Sequence, residues 1–426
     1  MSAEPLVLPR RIERWLQAAY PGHRRQPNEP ALRGHACEVK ARAFPQFSAP
    51  LEFIFLNSRR RSCRQAMDGG AGFIVIDQGQ SALLAIEDLL VLGDRFTAQD
   101  GLVVLQIPFA EAFDHNGEKE RALMCVLRCL AQGPRLANLL RATFGRPGHS
   151  MLGTFLLLHE IAHFAVDSEQ AFAAPVRKMV NGALEEHCDT NLRYSGLIER
   201  GEPLPADAET SVQDRSPEAR ALMARQMRDH IGFVGENREV VREASCDFLA
   251  TAGMLTWQSG IDVLEAETPR VDALTPRNVG DVIALGLRVS RLLMMHHFVG
   301  LSAENIAEER DPSRLSKAFS EMTARHNVSV NLAVGLFEGI MESWRFAEPV
   351  DAVEYMKAFR RDIEIMNARS ADRLLTPVEE IGLDHRESDR HEHDLKCLRA
   401  EFFKGEAPGP QELRETLDAH LAKLPL

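Results

Sequence analysis

The chain has 426 residues, 45% of them hydrophobic and 26% charged, with 62 acidic side chains against 50 basic ones and a formal net charge of −12. That length suits a large core or two to three domains, and apolar residues are too plentiful for a disordered, collagenous or coiled-coil chain. The acidic balance excludes a broad nucleic-acid surface, so nucleic acid is not expected as a partner.

An amphipathic start (Ile12, Trp15, Leu16) leads into a Pro-, Gly- and Arg-rich stretch, Pro21 to Gly34, that reads as a loop. Two β-like runs follow, Leu51–Leu56 and Gly72–Ile76, rich in the aromatic and β-branched residues that strands favour. The basic, glycine-bearing segment Arg59–Gly72 separates them. Ser81–Leu92 has helical apolar spacing, Leu102–Ile107 reads as a third strand, and Glu118–Leu130 as a helix ended by Gln132-Gly133-Pro134. Past residue 140 the pattern is almost wholly helical. A long apolar helix runs through Met151–Val166, the polar stretch Ile198–Arg215 reads as a surface excursion, and Glu239–Thr256 forms a further helix. The Pro-bearing stretch Glu267–Asp281 marks a boundary. It divides residues 1–268 from a helical C-terminal region, 269–426, with helices expected near 281–300, 313–326, 330–346, 351–367 and 411–423. The fold class expected is α+β.

Seven cysteines, at positions 37, 63, 125, 129, 188, 246 and 397, are odd in number and sparse, which disfavours a disulfide framework. The N-terminus MSAEPLVLPRRIERW lacks the apolar core of a signal peptide, and no uncharged apolar run reaches the ~18 residues of a membrane span. These features set the expectation of a cytoplasmic protein without a membrane partner.

The chemistry concentrates in His159-Glu160-Ile161-Ala162-His163, inside LLLHEIAHFAVD. Helical residues four apart share a face, so both imidazoles can reach one ion, and Glu160 lies beside them where it can reach a water. A chain of this composition would show roughly 0.04 such H-E-x-x-H matches by chance. Burying two histidines and a glutamate in the most apolar helix costs several kcal/mol unless they find partners, and a metal ion would supply them. Zinc needs a third protein ligand and an open position. Glu243, in EVVREASCD, is favoured because its helix has one polar stripe over an apolar back. Asp247, one turn on, can accept from the far nitrogen of a histidine ligand and fix its tautomer. Glu185, in LEEHCD, is the alternative ligand, only 22 residues beyond His163.

With HEIAH followed by EASCD, and FIFLNS and GAGFIVIDQG placed where a small twisted sheet belongs, the chain resembles gluzincin-type zinc metallopeptidases, closest in pattern to the M48-like or minigluzincin arrangement. More loosely, the chain resembles soluble Lit-like and ImmA-like bacterial peptidases. The resemblance covers roughly residues 50–260 and departs from the family in several ways. The membrane helices and the G-x-M-E-N segment of gluzincin aminopeptidases are absent, as is the third histidine of the metzincins. It implies a zincin-like catalytic domain with a small mixed sheet, a Zn2+ cofactor, and hydrolysis of an intracellular protein or peptide substrate. It further implies His159, His163 and Glu243 as ligands and Glu160 as general base.

A further donor is needed to stabilise an oxyanion, and His296, His297 and Tyr194 are the candidates. The strand Gly72–Ile76 is a candidate for pairing with an extended substrate. The run His385–Asp394 reads as a solvated charge run, and RRRSCR (Arg59–Arg64) as a solvated basic loop. Gly69-Gly70-Ala71-Gly72 lacks the lysine and hydroxyl of a phosphate loop. A competing reading is a regulatory or binding protein that retains the fold, with the C-terminal helices as partner or ligand module. Oligomeric state stays open.

Overall fold

The chain's architecture comes from a computed structural model that describes residues 6–385, apart from 27, 48, 59–62, 95, 133–148, 169, 206–215, 236, 262, 264–269, 272–273, 308–312 and 347–350. Four strands, β1 (Arg24–Arg25), β2 (Leu51–Asn57), β3 (Arg64–Asp68) and β4 (Ala71–Asp77), form a mixed sheet in the order β1-β2-β4-β3. β2 and β4 run parallel in a register from Leu51 opposite Gly72 to Leu56 opposite Asp77. β3 folds back antiparallel onto β4, with Asp68 opposite Ala71. The connecting Gly69 and Gly70 have φ of +57° and +83°, the two positive values that a two-residue type I′ hairpin demands.

Alternation along the strands divides their side chains between two cores. Phe53, Phe55, Ile74 and Ile76 join the main hydrophobic core, whereas Ile54, Leu56, Phe73 and Val75 pack with Ile12, Leu16 and Tyr20 in a second one. The sheet is thus covered on one face by helix α1 (Arg10–Ala19) and on the other by the helical body.

That body contains α2 (Glu29–Ala43), α3 (Gln78–Leu92), α4 (Ala98–His115), α5 (Lys119–Ala131), α6 (His149–Asp167), α7 (Ala173–Arg200), α8 (Pro217–Val234) and α9 (Arg238–Ser259). It continues with α10 (Pro276–Ala307), α11 (Ser313–Ser343), α12 (Ala352–Ser370), a π-turn (Ala371–Leu375) and α13 (Thr376–Asp384). Short strands β5 (Arg270–Val271) and β6 (Arg345–Phe346) pair in parallel. The chain is therefore mostly helical with a small mixed sheet, compatible with an α+β class.

α6 lies at the centre. Phe155, Leu156, Leu158, Ile161, Ala162 and Ala165 are fully buried, the all-round apolarity of a core helix. α9 packs along it, and α2, α3, α10 and the sheet complete its surroundings. The sheet approaches closely because position 72 is glycine: a Cβ there would stand 2.3 Å from the ring of Phe164.

Several expectations need correction. Leu102–Ile107 is no strand but the middle of α4, whose start is fixed by a reciprocal Thr97–Asp100 capping box. The proposed loop Pro21–Gly34 holds β1 and the first turns of α2. β3 arises within the segment read as a linker, its polar pattern being that of an edge strand. The two helices expected near 313–326 and 330–346 are one, α11. The expected boundary at 268/269 does not divide the core, since Leu249 and Met254 before it share one cluster with Val282, Leu287 and Val328 after it. α10 is long and apolar enough to cross a membrane by length and composition, and it is mostly buried inside the protein. Residues 59–62 of the basic loop, 206–215 of the polar excursion, 386–394 and the helix expected at 411–423 lie outside the described residues.

Candidate metal centre

On α6, His159 and His163 lie one turn apart, with their rings crossed at 88° and centroids 4.6 Å apart. Their Nε2 atoms are separated by 3.0 Å. Asn237 caps the start of α9 by accepting from the backbone N–H groups of Glu239 and Val240, and the helix then carries Glu243 to the same point. Glu243 Oε1 lies 3.3 Å from His163 Nε2, and Oε2 lies 3.7 Å from His159 Nε2. The three residues are buried or nearly so, their ligand atoms lie within 4.8 Å of one another, and the group could hold a metal ion.

The outer nitrogens of both rings are also engaged. His159 Nδ1 stands 3.1 Å from Asp247 Oδ1, although its N–H does not point squarely along that contact. His163 Nδ1 stands 3.1 Å from Cys246 Sγ. Asp247 in turn accepts from Ser290 Oγ at 2.5 Å and from Arg325, whose Nε and Nη2 approach its two oxygens at 2.8 and 2.9 Å. The same guanidinium reaches Glu243 Oε2 through Nη1 at 2.9 Å. At the mouth, Arg242 binds Asp167 through two bonds of 2.7 and 2.8 Å and donates to Glu243 Oε1 at 3.1 Å.

Burial and these charges set the protonation of the group. Burial alone would keep Asp247 protonated, but Arg325 and His159 outweigh it and hold the carboxyl far below its usual range. Glu243 is lowered in the same way, by Arg325 and then by the histidines, against its own burial. His159, despite burial, is raised by Asp247 and Glu243, while burial and the neighbouring His159 push His163 down to about 3. Burial, with Glu243 adding to it, lifts Glu160 to about 7. Glu160 is only 8% exposed and has no hydrogen-bond partner among the described residues. Two imidazoles and a carboxylate turned toward one point, beside the largely buried carboxyl of Glu160, fit a divalent cation better than they fit a packed core.

The structure therefore brings together His159, Glu160, His163, Glu243 and Asp247, and separates the other candidates from them. Glu185 is exposed on α7, because Val176, Val180 and Leu184 turn the opposite face of that helix inward. It lines an open acidic surface hollow with Glu186 and Asp189. His296 Nε2 is paired with the buried Glu87 at 2.7 Å. His297 is exposed, and Tyr194 lies beneath the guanidinium of Arg193 on α7. Gly72–Ile76 is flanked on both sides by β2 and β3, so it cannot take a further strand.

Three members went unread in the sequence. Cys246 could have been found by helical spacing, since it lies three residues after Glu243 on the same helix. Ser290 and Arg325 carry no such signal, being 43 and 78 positions from Asp247. Comparison with protein-family profiles, with curated proteins and with solved structures finds no match for this chain.

Proposed function

We propose that the chain is a zinc-dependent metallopeptidase with a zincin-like centre, cutting peptide bonds of a protein or peptide substrate. The observation that carries this reading is the convergence of His159, His163 and Glu243 on one point. Donor atoms about 2.0–2.1 Å from a tetrahedral zinc ion sit roughly 3.3 Å from one another. The separations here are 3.0, 3.3 and 3.7 Å. Two imidazoles and one carboxylate are also the donor set of catalytic zinc, which keeps one position free of protein.

Zinc held there supplies Lewis acidity, making water acidic enough to ionise near neutral pH and polarising a carbonyl oxygen. Glu160 is the general base: it takes the proton of the attacking water and returns it to the leaving amine. Burial raises the Glu160 carboxyl above its ordinary range, in the direction that suits a group which both takes and returns a proton. Asp247 orients His159, and Cys246 orients His163. β3 pairs with β4 on one side only among the described residues, and Gln65 of β3 reaches Asp167 at the end of α6. An extended substrate can add to the free edge of β3.

Glu160→Gln tests the reading. It should abolish chelator-sensitive cleavage of a denatured-protein substrate while zinc stays near one equivalent per chain. Cleavage that survives either the substitution or the chelator refutes the proposal.

A further inference from the structure

Arg325 stands out among the groups around the centre. It is the buried cation that touches both of the centre's carboxylates, it comes from α11 in the C-terminal half, and its guanidinium makes three bonds of 2.8–2.9 Å. Two of them form a fork on Asp247, the geometry in which arginine and carboxylate bind most specifically. The third takes Glu243 through Oε2, which lies 3.7 Å from His159 Nε2, while Oε1 is turned toward His163 Nε2 at the shorter distance of 3.3 Å.

We propose that Arg325 is the positioning residue of the metal centre: by occupying Glu243 Oε2 it makes this carboxylate bind metal through Oε1 alone, which keeps a coordination position open for water. The proposal rests on the metallopeptidase reading above. A carboxylate free to turn can chelate an ion through both oxygens and so take the place that water needs. Arg242 does not substitute for this restraint. It meets Oε1 rather than Oε2, is partly exposed, and shares its guanidinium with Asp167 and Glu239. The fork on Asp247 fixes the guanidinium itself, so the same side chain sets Glu243 and, through Asp247, the ring of His159. Arg325 thereby ties the helical C-terminal half to the centre, giving α11 a role that the sequence did not indicate.

The test uses the full chain with Arg325→Lys and Arg325→Met. Lysine keeps the charge and loses the fork; methionine removes both and leaves two buried carboxylates unpaired, which risks the fold. Circular dichroism in chelator identifies the variants that fold, and metal affinity is read by competition with a chromophoric chelator. The visible spectrum of the cobalt(II)-loaded protein reports coordination number, four-coordinate cobalt absorbing several-fold more strongly than five-coordinate. Arg325→Lys should fold, bind zinc about 10-fold more weakly, and show weaker cobalt bands as Glu243 turns to bind through both oxygens. If Arg325→Met folds, its losses should be larger, with lysine a partial rescue. A lysine variant with wild-type affinity and spectrum overturns the proposal, as does wild-type protein that takes up no stoichiometric metal. Wild-type protein that binds cobalt with the expected spectrum yet cleaves no peptide defeats the peptidase reading and leaves the role of Arg325 standing.

Discussion

Cys246 Sγ lies 3.1 Å from His163 Nδ1, so the second histidine of the pair is steadied by a thiol while the first is steadied by a carboxylate. The two supports differ in strength. Burial, with Glu243 and Asp247 beside it, holds the Cys246 thiol protonated, whereas Asp247 is ionised and makes its histidine a stronger donor.

Removing the thiol should therefore cost less than removing the charge. Cys246→Ala is expected to weaken zinc binding by up to about 10-fold, and Asp247→Asn by about 10- to 100-fold. Competition with a chromophoric chelator separates the two, and equal losses would contradict the asymmetry.

Glycine at position 72 lets Phe164, the neighbour of His163, lie against the sheet. Gly72→Ala places a methyl 2.3 Å from that ring and 2.5 Å from Leu51, which should cost about 1–3 kcal/mol. Denaturant unfolding measures the loss. Combining Gly72→Ala with Phe164→Leu should restore part of it, since the smaller side chain vacates the contested volume.

How much of this was legible in the sequence follows the range of each interaction. His159, Glu160 and His163 fall within one helical turn, as do Glu243 and Asp247, and periodicity exposes such groups directly. Leu102–Ile107 misled because a short, largely apolar run fits a strand and a buried helix equally well. Only the Thr97–Asp100 box, several residues upstream, announces the helix. β3 escaped notice for the opposite reason: an edge strand with one solvent-facing side has little apolar alternation to show. Arg325 meets Asp247 across 78 positions, a relationship that tertiary packing creates and local pattern does not contain.

Stability should fall on the acid side through His326. It lies on α11, 3.0 Å from Asn367 Oδ1 of α12 and 3.3 Å from Arg291 Nη1 of α10, and burial, with the Arg291 cation beside it, lowers it to about 4. In the unfolded chain a histidine titrates near 6.5. As pH falls the unfolded state takes up this proton first, so stability is complete above about 6.5 and is lost between about 6.5 and 4. With allowance for partial exposure the loss is roughly 2 kcal/mol. His326→Gln should flatten the dependence of the denaturant midpoint on pH in that interval, measured in chelator, and leave it unchanged above pH 7. An equal slope in both proteins rejects the assignment.

The core shared by residues on either side of position 268 sets a further expectation. Leu249 and Met254 of α9 belong with Val282 and Leu287 of α10. Calorimetry of the whole chain should show these parts melting in one transition, and a chain cut at 268 should be insoluble and free of metal. A soluble, zinc-binding fragment of residues 1–268 would show that the C-terminal helices are dispensable.

The span between Asp247 and Arg325 has a consequence for synthesis. A ribosome that has released the chain through α9 has delivered both histidines and both carboxylates, but not the guanidinium that lets those carboxylates be buried. The growing polypeptide therefore carries those carboxylates without their buried counter-charge until α11 has emerged and docked.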